Sequence, residues 1–373
     1  MNPDATPTDP RLQQIARARR AVMHEGRSMT DALVAGWYEH AWIERSWRRC
    51  LAGGKRPDEQ VGFDVIPAQQ LRRVEEANHS LVAAARPVLR QLGRALASTG
   101  YFAILTNHDG VVVDAHGPID RQDRRAGVIT RIGVDLSERS VGTTAIGAAL
   151  AELHPVWLHR GEHFFEATSC YSCAGAPLFG PDGRCVGMLD LTGVDAVERP
   201  ELKHLVAQSA RSIENALVLS RPHRMVLRLN WPGRLLGDEH DGLVCLDGDG
   251  WVVASNAPAR DIVPALAASA QQPVHCSELF AQAWEPLFDL ARQADATPTE
   301  LPLWSGLRVT ALAQAAGARA QPASRLPLRD LEVALIRQAV DGARGNVMEA
   351  ARALGISRAT VYRKLGAKRP KNG

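Results

Sequence analysis

Apolar positions along the chain change their period several times, and each change predicts an element. Residues 11–25, 35–51 and 67–98 carry apolar side chains at helical spacing, with Trp37, Trp42 and Trp47 on adjacent faces of the second segment. The period then shortens. YFAILTN (101–107) and VVVDAHG (111–117) flank His108-Asp109-Gly110, which predicts a β-hairpin. GTTAIGAALAEL, from Gly142, returns to helical spacing with Thr143 or Thr144 placed as its N-cap, and PVWLHR (155–160) is a strand. CAGAPLF (173–179) and RCVGMLDLTG (184–193) flank the turn at Pro181-Asp182-Gly183 as a second hairpin, and a helix follows over 200–220. Further on, 240–263 reads as strand, DGDG turn, strand and helix, 278–293 as one helix, and 300–314 as two short strands. Strands bracketed by helices predict an α+β chain of several domains.

In the last fifty residues the helical period breaks at Gly355. Val347, Ala350, Ala351 and Leu354 share a face before it, and Val361 and Leu365 face inward after it. Two helices that cross closely need a small residue at the crossing, a turn open to positive φ, and an apolar side chain to seal the gap. Ala351, Gly355 and Val361 are spaced to supply these three in a helix-turn-helix. Ser357 is placed to cap the second helix, whose outward face carries Arg358, Thr360, Tyr362, Arg363 and Lys364. A solvated basic helical hairpin would share this pattern, but charge argues for phosphate. Residues 324–373 hold eleven Arg/Lys against four Asp/Glu, a net of +7, which leaves about −4 for the rest of a chain whose total is +3. Arg358, Ala359, Thr360 and Tyr362 are expected at base edges and Arg363 and Lys364 at phosphates, with Asn346 and Lys368 flanking them on double-stranded DNA.

Bulk properties bound the rest. A chain of 373 residues allows two or three domains, and 45% apolar with 23% charged residues is ordinary for globular cores. No apolar run approaches the ~18 residues of a membrane span, and the start, MNPDATPTDP, resembles no signal peptide. Six scattered cysteines fit a reducing cytoplasm. Cys170 and Cys173 form one Cys-x-x-Cys pair. The pair is either a redox switch or, more simply, a small buried hydrophobe at Cys173 with Cys170 incidental. His159 and His163 lie nearby but match no zinc spacing, so no metal, cofactor or catalytic set is expected. Glu162-His163 reads as a hydrogen-bonding pair or a pocket wall. Asp190 and Thr192 read as pocket polar groups or turn caps.

Several of these blocks resemble a known family. SWRRC (46–50), VGTTAIGAAL (141–150), GEHF (161–164) and CAGAPLFGPDGRCVGMLDLTG (173–193) are similar, in order, to the GAF-type sensor region of acetoin-catabolism activators (AcoR-type regulators). LPLRDLEVALIRQAVDGARGNVMEAARALGISRATVYRKL (326–365) resembles the Fis-type domain that closes bacterial enhancer-binding regulators. The resemblance implies a GAF-like sensor (61–222) and an all-α Fis-type helix-turn-helix (324–373); composition and element order add a helical N-terminus with a disordered start (1–60) and a PAS-like unit (230–316), which is either a second signal module or a structural spacer without a ligand. In that family the helix over 328–341 pairs two subunits, implying a homodimer on two half-sites. A small-molecule effector is implied as well, with RNA polymerase as a candidate partner. Its pocket would be lined by Trp157, Phe164, Cys173, Leu178 and Met188, with Thr143 or Thr144 as polar contacts. The central ATPase of related regulators is absent from this chain: there is no G-x-x-x-x-G-K-[ST] loop and no GAFTGA segment. The expected output is therefore recruitment, occlusion or interference without ATP hydrolysis. The competing class is a GAF-fold thiol enzyme, such as a methionine-sulfoxide reductase, using Cys170 and Cys173.

Overall fold

The computed structural model describes residues 10–28, 41–270, 272–293, 297–317, 340, 346–348, 351 and 357–365. Its first sheet comprises β1 (Tyr101–Asn107), β2 (Val112–His116), β3 (Val156–His159), β4 (Tyr171–Phe179) and β5 (Cys185–Val194). They pair antiparallel in the order β2-β1-β5-β4-β3. Both predicted hairpins are present, and both turns use one device. Asn107 Oδ1 accepts from the N–H of Asp109 and Val111, and Asp182 Oδ1 from that of Arg184, each before a glycine at positive φ, Gly110 (+83°) and Gly183 (+83°).

β1 is buried along its whole length because helices cover both faces of the sheet. One face packs on α3 (Ala68–Ala95) and α7 (Leu202–Ser220), through Leu81, Ala85 and Leu89 and through Val206, Ala210 and Ile213. The other face packs on α4 (Arg124–Ile129) and α6 (Ala145–Glu152), with α5 (Glu138–Val141) between them in sequence. The N-terminal helices α1 (Pro10–Arg19) and α2 (Ala41–Ala52) join this second core, since Ile15, Ala18, Trp42, Ile43, Trp47 and Cys50 all belong to it. The described residues of α1 and α2 are therefore part of the core of the first sheet. The apolar stripe of α2 is part of its core. Trp37, and with it the helix expected over 35–40, lies outside the described residues.

A second antiparallel sheet contains β6 (Met225–Asn230), β7 (Gly242–Leu246), β8 (Val252–Ser255), β9 (Thr299–Pro302) and β10 (Arg308–Ala315), in the order β8-β7-β6-β10-β9. One face packs on α8 (Ala257–Ile262), a 3₁₀ turn, α9 (Cys276–Leu279) and α10 (Glu285–Ala291). Two expectations are corrected here. The helix expected over 278–293 is two short helices, interrupted where Phe280 bridges to Leu303 in extended geometry. A boundary at residue 230 would discard β6, the middle strand, whose partners β7 and β10 lie on both sides of it. The two sheets belong to one compact unit, and residues 317–373 with 235–238 form another. The end of α7 packs on the second sheet, where Val218 joins Val226, Leu243, Cys245 and Ala254. The second compact unit includes α11 (Arg358–Leu365). Among the described residues no helix is long and apolar enough to cross a membrane.

Candidate functional site

Alternation along β4 and β5 sends two sets of side chains to opposite faces of the first sheet. Cys173, Met188, Asp190 and Thr192 face α4 and α6, whereas Ala174, Leu178, Leu189 and Leu191 face α3 and α7. On the first face a small cavity of about 30 Å³ lies between β5, β4 and the start of α6. Thr144 caps α6 by accepting from the N–H of Gly147 at 3.2 Å, which brings Ala145 and Ile146 into the cavity wall. Phe63, Ile104, Ile129, Leu136, Val141 and Tyr171 complete an apolar lining into which Asp190, His163, Thr168 and Thr192 bring polar atoms.

His163 follows a 3₁₀ turn over Arg160–Glu162 that is held from several sides. The Glu162 carboxylate pairs with Arg11 and accepts from the N–H of His159 at 2.6 Å, while Trp47 Nε1 donates to the Glu162 carbonyl at 2.8 Å. Arg19 adds donations to the carbonyls of Gly161, His163 and Phe164. The helices α1 and α2 thus fix the position of His163. Its Nδ1 lies 2.8 Å from the Arg160 carbonyl, which can only accept, so Nδ1 carries the proton and Nε2 presents a lone pair. Burial pushes the imidazole down to about 4 and keeps it neutral. Nε2 has no hydrogen-bond partner.

Asp190 sits opposite Ile104 of β1 and Gly175 of β4. The Thr192 hydroxyl donates to its Oδ2, and Cys173 Sγ lies 3.4 Å from that hydroxyl oxygen, so the thiol donates along the line Cys173 to Thr192 to Asp190. Oδ1 has no partner, and burial raises the carboxyl to about 7. Two side chains, each 1% exposed and each with one orphaned polar atom, therefore border one cavity whose surface is almost wholly apolar.

Of the pocket residues expected from sequence, Thr144 and Cys173 line this cavity. Thr143 turns towards α2, with its hydroxyl 2.7 Å from that of Ser46 and 3.7 Å from Cys50 Sγ. Phe164 and Met188 are buried in the same core but behind the lining, Phe164 edge-on against Phe165. Trp157 and Leu178 are corrections. Trp157 pairs with Ala174 and Leu178 is an odd number of residues from Cys173, so both point to the α3–α7 face; a one-residue slip in reading a strand exchanges its faces. His163, Asp190 and Thr192 were legible as polar candidates without a common destination. Tyr171 follows from Cys173 by alternation. Phe63 and Ile129 come from segments that carry no pocket signal.

The thiol chemistry loses its thiolate. Burial holds Cys173 well above the usual thiol range and raises Cys170 as well. Among the described residues no cluster of His, Cys, Asp and Glu could hold a metal ion.

At the other end of the chain, Ala351 and Val361 are buried together with Val340 and Val347 packed against them. Ser357 Oγ accepts from the N–H of Thr360 at 3.2 Å, the expected cap, and Asn346 Oδ1 accepts from the N–H of Met348 at 3.2 Å. Arg358 and Ala359 are exposed and Tyr362 is 58% exposed. Thr360 is half-buried, and its hydroxyl lies 2.9 Å from Ser357 Oγ, so it supports the cap more than an outward contact. Gly355, Lys368 and the side chains of Arg363 and Lys364 lie outside the described residues.

Residues 9–215, spanning α1 to most of α7, match the family described as MimR, N-terminal domain. The chain belongs to this MimR N-terminal domain family. Residues 327–367 match a second family, described as bacterial regulatory protein, Fis family. Among curated relatives, the acetoin catabolism regulatory protein of Cupriavidus necator is 32% identical over 61% of this chain and 35% of its own. The propane 2-monooxygenase operon transcriptional activator MimR of Mycolicibacterium smegmatis is 30% identical over 57% and 34%, and the Bacillus subtilis acetoin dehydrogenase operon activator AcoR is 25% identical over 60% and 36%. The chain spans about a third of the length of these relatives. A solved structure, the E. coli DhaR(N)–DhaL complex, aligns over 73% of this chain and 99% of that one at 15% identity and a TM-score of 0.44. The resemblance to AcoR-type regulators with a Fis-type segment is thereby borne out. For a member of the MimR N-terminal family, the match from residue 9 also agrees with α1 and α2 being part of the core of the first sheet.

Proposed function

We propose that the chain is a sequence-specific DNA-binding transcriptional regulator that responds to a small effector. In this reading a GAF-like sensor occupies 61–222 together with the helices before it. A PAS-like unit over 230–316 begins with β6, and residues 324–373 read double-stranded DNA as a homodimer. The observation that carries the reading is the buried Ala351–Val361 pair beside a Ser357-capped helix with Arg358 exposed, in a Fis-family segment of a chain whose relatives are named as operon regulators. RNA polymerase is the proposed downstream partner. The chain carries no Walker A loop, and we infer that it hydrolyses no ATP itself.

The test is selection of duplexes from a random pool by the full chain, followed by binding of the selected site. Arg358→Ala should weaken that site by roughly 1–3 kcal/mol and relax one base pair, because a base-edge contact carries sequence information. Lys364→Ala should weaken specific and random duplexes alike and flatten the salt dependence, because a phosphate contact does not. Equal behaviour of the two variants would refute this division of roles, and absence of any selected sequence would refute the DNA reading. The same preparations with Mg²⁺-ATP should release no phosphate above a blank; steady release would overturn the inference about ATP.

A further inference from the structure

The orphaned atoms of two side chains that border the cavity specify the chemistry of an effector more narrowly than the cavity's apolar walls do. Resting on the sensor reading above, we propose that the site takes a compact neutral alcohol whose hydroxyl donates to Nε2 of His163 and also meets the unpartnered Oδ1 of Asp190, its hydrocarbon part lying against Ile104, Ile129 and Ile146.

The argument is one of donors and acceptors. His163 Nδ1 is committed to the Arg160 carbonyl, so Nε2 needs a donor. Asp190 Oδ2 is committed to Thr192, so Oδ1 needs a donor when ionised and an acceptor when protonated. A hydroxyl is one donor with two lone pairs and serves both atoms at once. A ketone only accepts and leaves Nε2 orphaned. A carboxylate only accepts, and among the described residues no Lys or Arg lines the cavity to meet its charge. An ammonium could donate to both, but at the expense of desolvating a cation among isoleucines. The remaining polar groups are engaged: Thr144 caps α6 and the Thr168 hydroxyl donates to the Phe165 carbonyl.

A cavity of about 30 Å³ is close to one water's share of liquid volume, so an alcohol must displace a wall. Phe63 and Tyr171 also border an outer hollow of about 430 Å³ lined by Val61, Val128, Arg124, Arg125 and Arg131. Tyr171 is anchored, its hydroxyl donating to the Arg125 carbonyl at 3.1 Å. Phe63 is half-buried on an irregular segment, so it is the wall that yields.

Binding should also depend on pH. The titratable groups that face Asp190 are Cys173 from β4 and, across the cavity, His163 and Tyr171; no charged side chain from β1, α4 or α6 lines the cavity. Alcohol affinity should fall about tenfold per pH unit once Asp190 ionises, and an ammonium would show the opposite trend.

The experiment titrates the full chain with butan-2-ol, butanone, butan-2-amine and 2-methylpropanoate, four probes of similar shape. Calorimetry and binding to the selected DNA site are the readouts. Saturable binding by the alcohol, at least tenfold tighter than by the ketone, is expected. His163→Leu should abolish it, and Asp190→Asn, whose amide can still donate, should retain it without the pH dependence. If either variant fails to fold, the wild-type panel at pH 6 and pH 8 still decides. Preference for the amine or for the carboxylate overturns the proposal while leaving the sensor reading intact if DNA affinity changes. No binding by any probe overturns the proposal, and a wider screen that also leaves DNA affinity unchanged removes the sensor reading with it.

Discussion

Asp190 is a carboxyl held in the sheet with its titration pushed up to about 7, whereas an unfolded aspartate titrates near 3.9. Between roughly pH 4 and 7 the folded chain keeps a proton that the unfolded chain has lost, so this group makes stability fall as pH rises through that window and stay level above it. His163 contributes the opposite slope. Its folded value of about 4 lies below the unfolded one, so stability falls as pH drops from about 6.5 towards 4. Comparing Asp190→Asn with the parent chain cancels the histidine contribution. The variant should gain of order 2–4 kcal/mol relative to the parent at pH 8 and almost nothing at pH 4, read from melts across that range. An unchanged difference from pH 4 to pH 8 would show that Asp190 is ionised in the folded chain. Only part of this site was legible in the sequence. Cys173 and Thr144 could be placed from a hairpin and a capping pattern. Trp157 and Leu178 lie on the other face from the one expected, because β3 and nearly all of β4 are buried on both faces and an exposed polar side does not fix their phase.

At the scale of elements, α7 and the β4–β5 hairpin connect the two sheets. Glu214 on α7 accepts from the N–H of Phe179 at the end of β4 at 2.8 Å, and the Pro181 carbonyl in the hairpin turn accepts from the N–H of Ser255 at 3.1 Å. Asn256 is the node on the other side. It caps α8 at Ala259, accepts from the N–H of Leu243, and donates to the Asp241 carbonyl and to Asn215 on α7. Removing it leaves several buried groups unpaired. Asn256→Ala should cost about 2–4 kcal/mol and split a single calorimetric transition into two, since the second sheet loses its tie to α7. One unchanged transition would show that the sheets do not depend on this node. These ties explain what local patterning missed. β6 is six residues whose partners are β7 and the distant β10, and pairing at such separation leaves no mark on a local window. The N-terminal helices were legible as helices, but their destination was not, because Trp47 donates to a carbonyl more than a hundred residues away.

For the whole molecule, a regulator must convert occupancy of a cavity into a change of DNA affinity, and a tenfold change requires about 1.4 kcal/mol of differential binding between two conformations. β5 carries Asp190 and Thr192, and the turn before it lies against α8 through Gly183 and Arg260. Burial lowers the Arg260 guanidinium, while Glu214 on α7 and Asp182 in the turn are the largest influences that raise it. One residue of the second sheet's helical layer therefore meets both α7 and the turn that leads into β5, the strand that borders the cavity. In sequence, that sheet ends in β10 and leads to the Fis-family segment. Arg260→Ala removes the charge from this junction without touching the cavity or α11. The substitution should leave alcohol affinity within about twofold of the parent and basal DNA binding intact, while reducing the parent's alcohol response of DNA affinity towards unity. Parallel titrations of alcohol with and without the selected duplex measure both quantities on one preparation. A variant that keeps the full response would mean that the signal bypasses the hairpin–α8 junction, and a variant that loses alcohol binding would place Arg260 in the sensor's own stability instead.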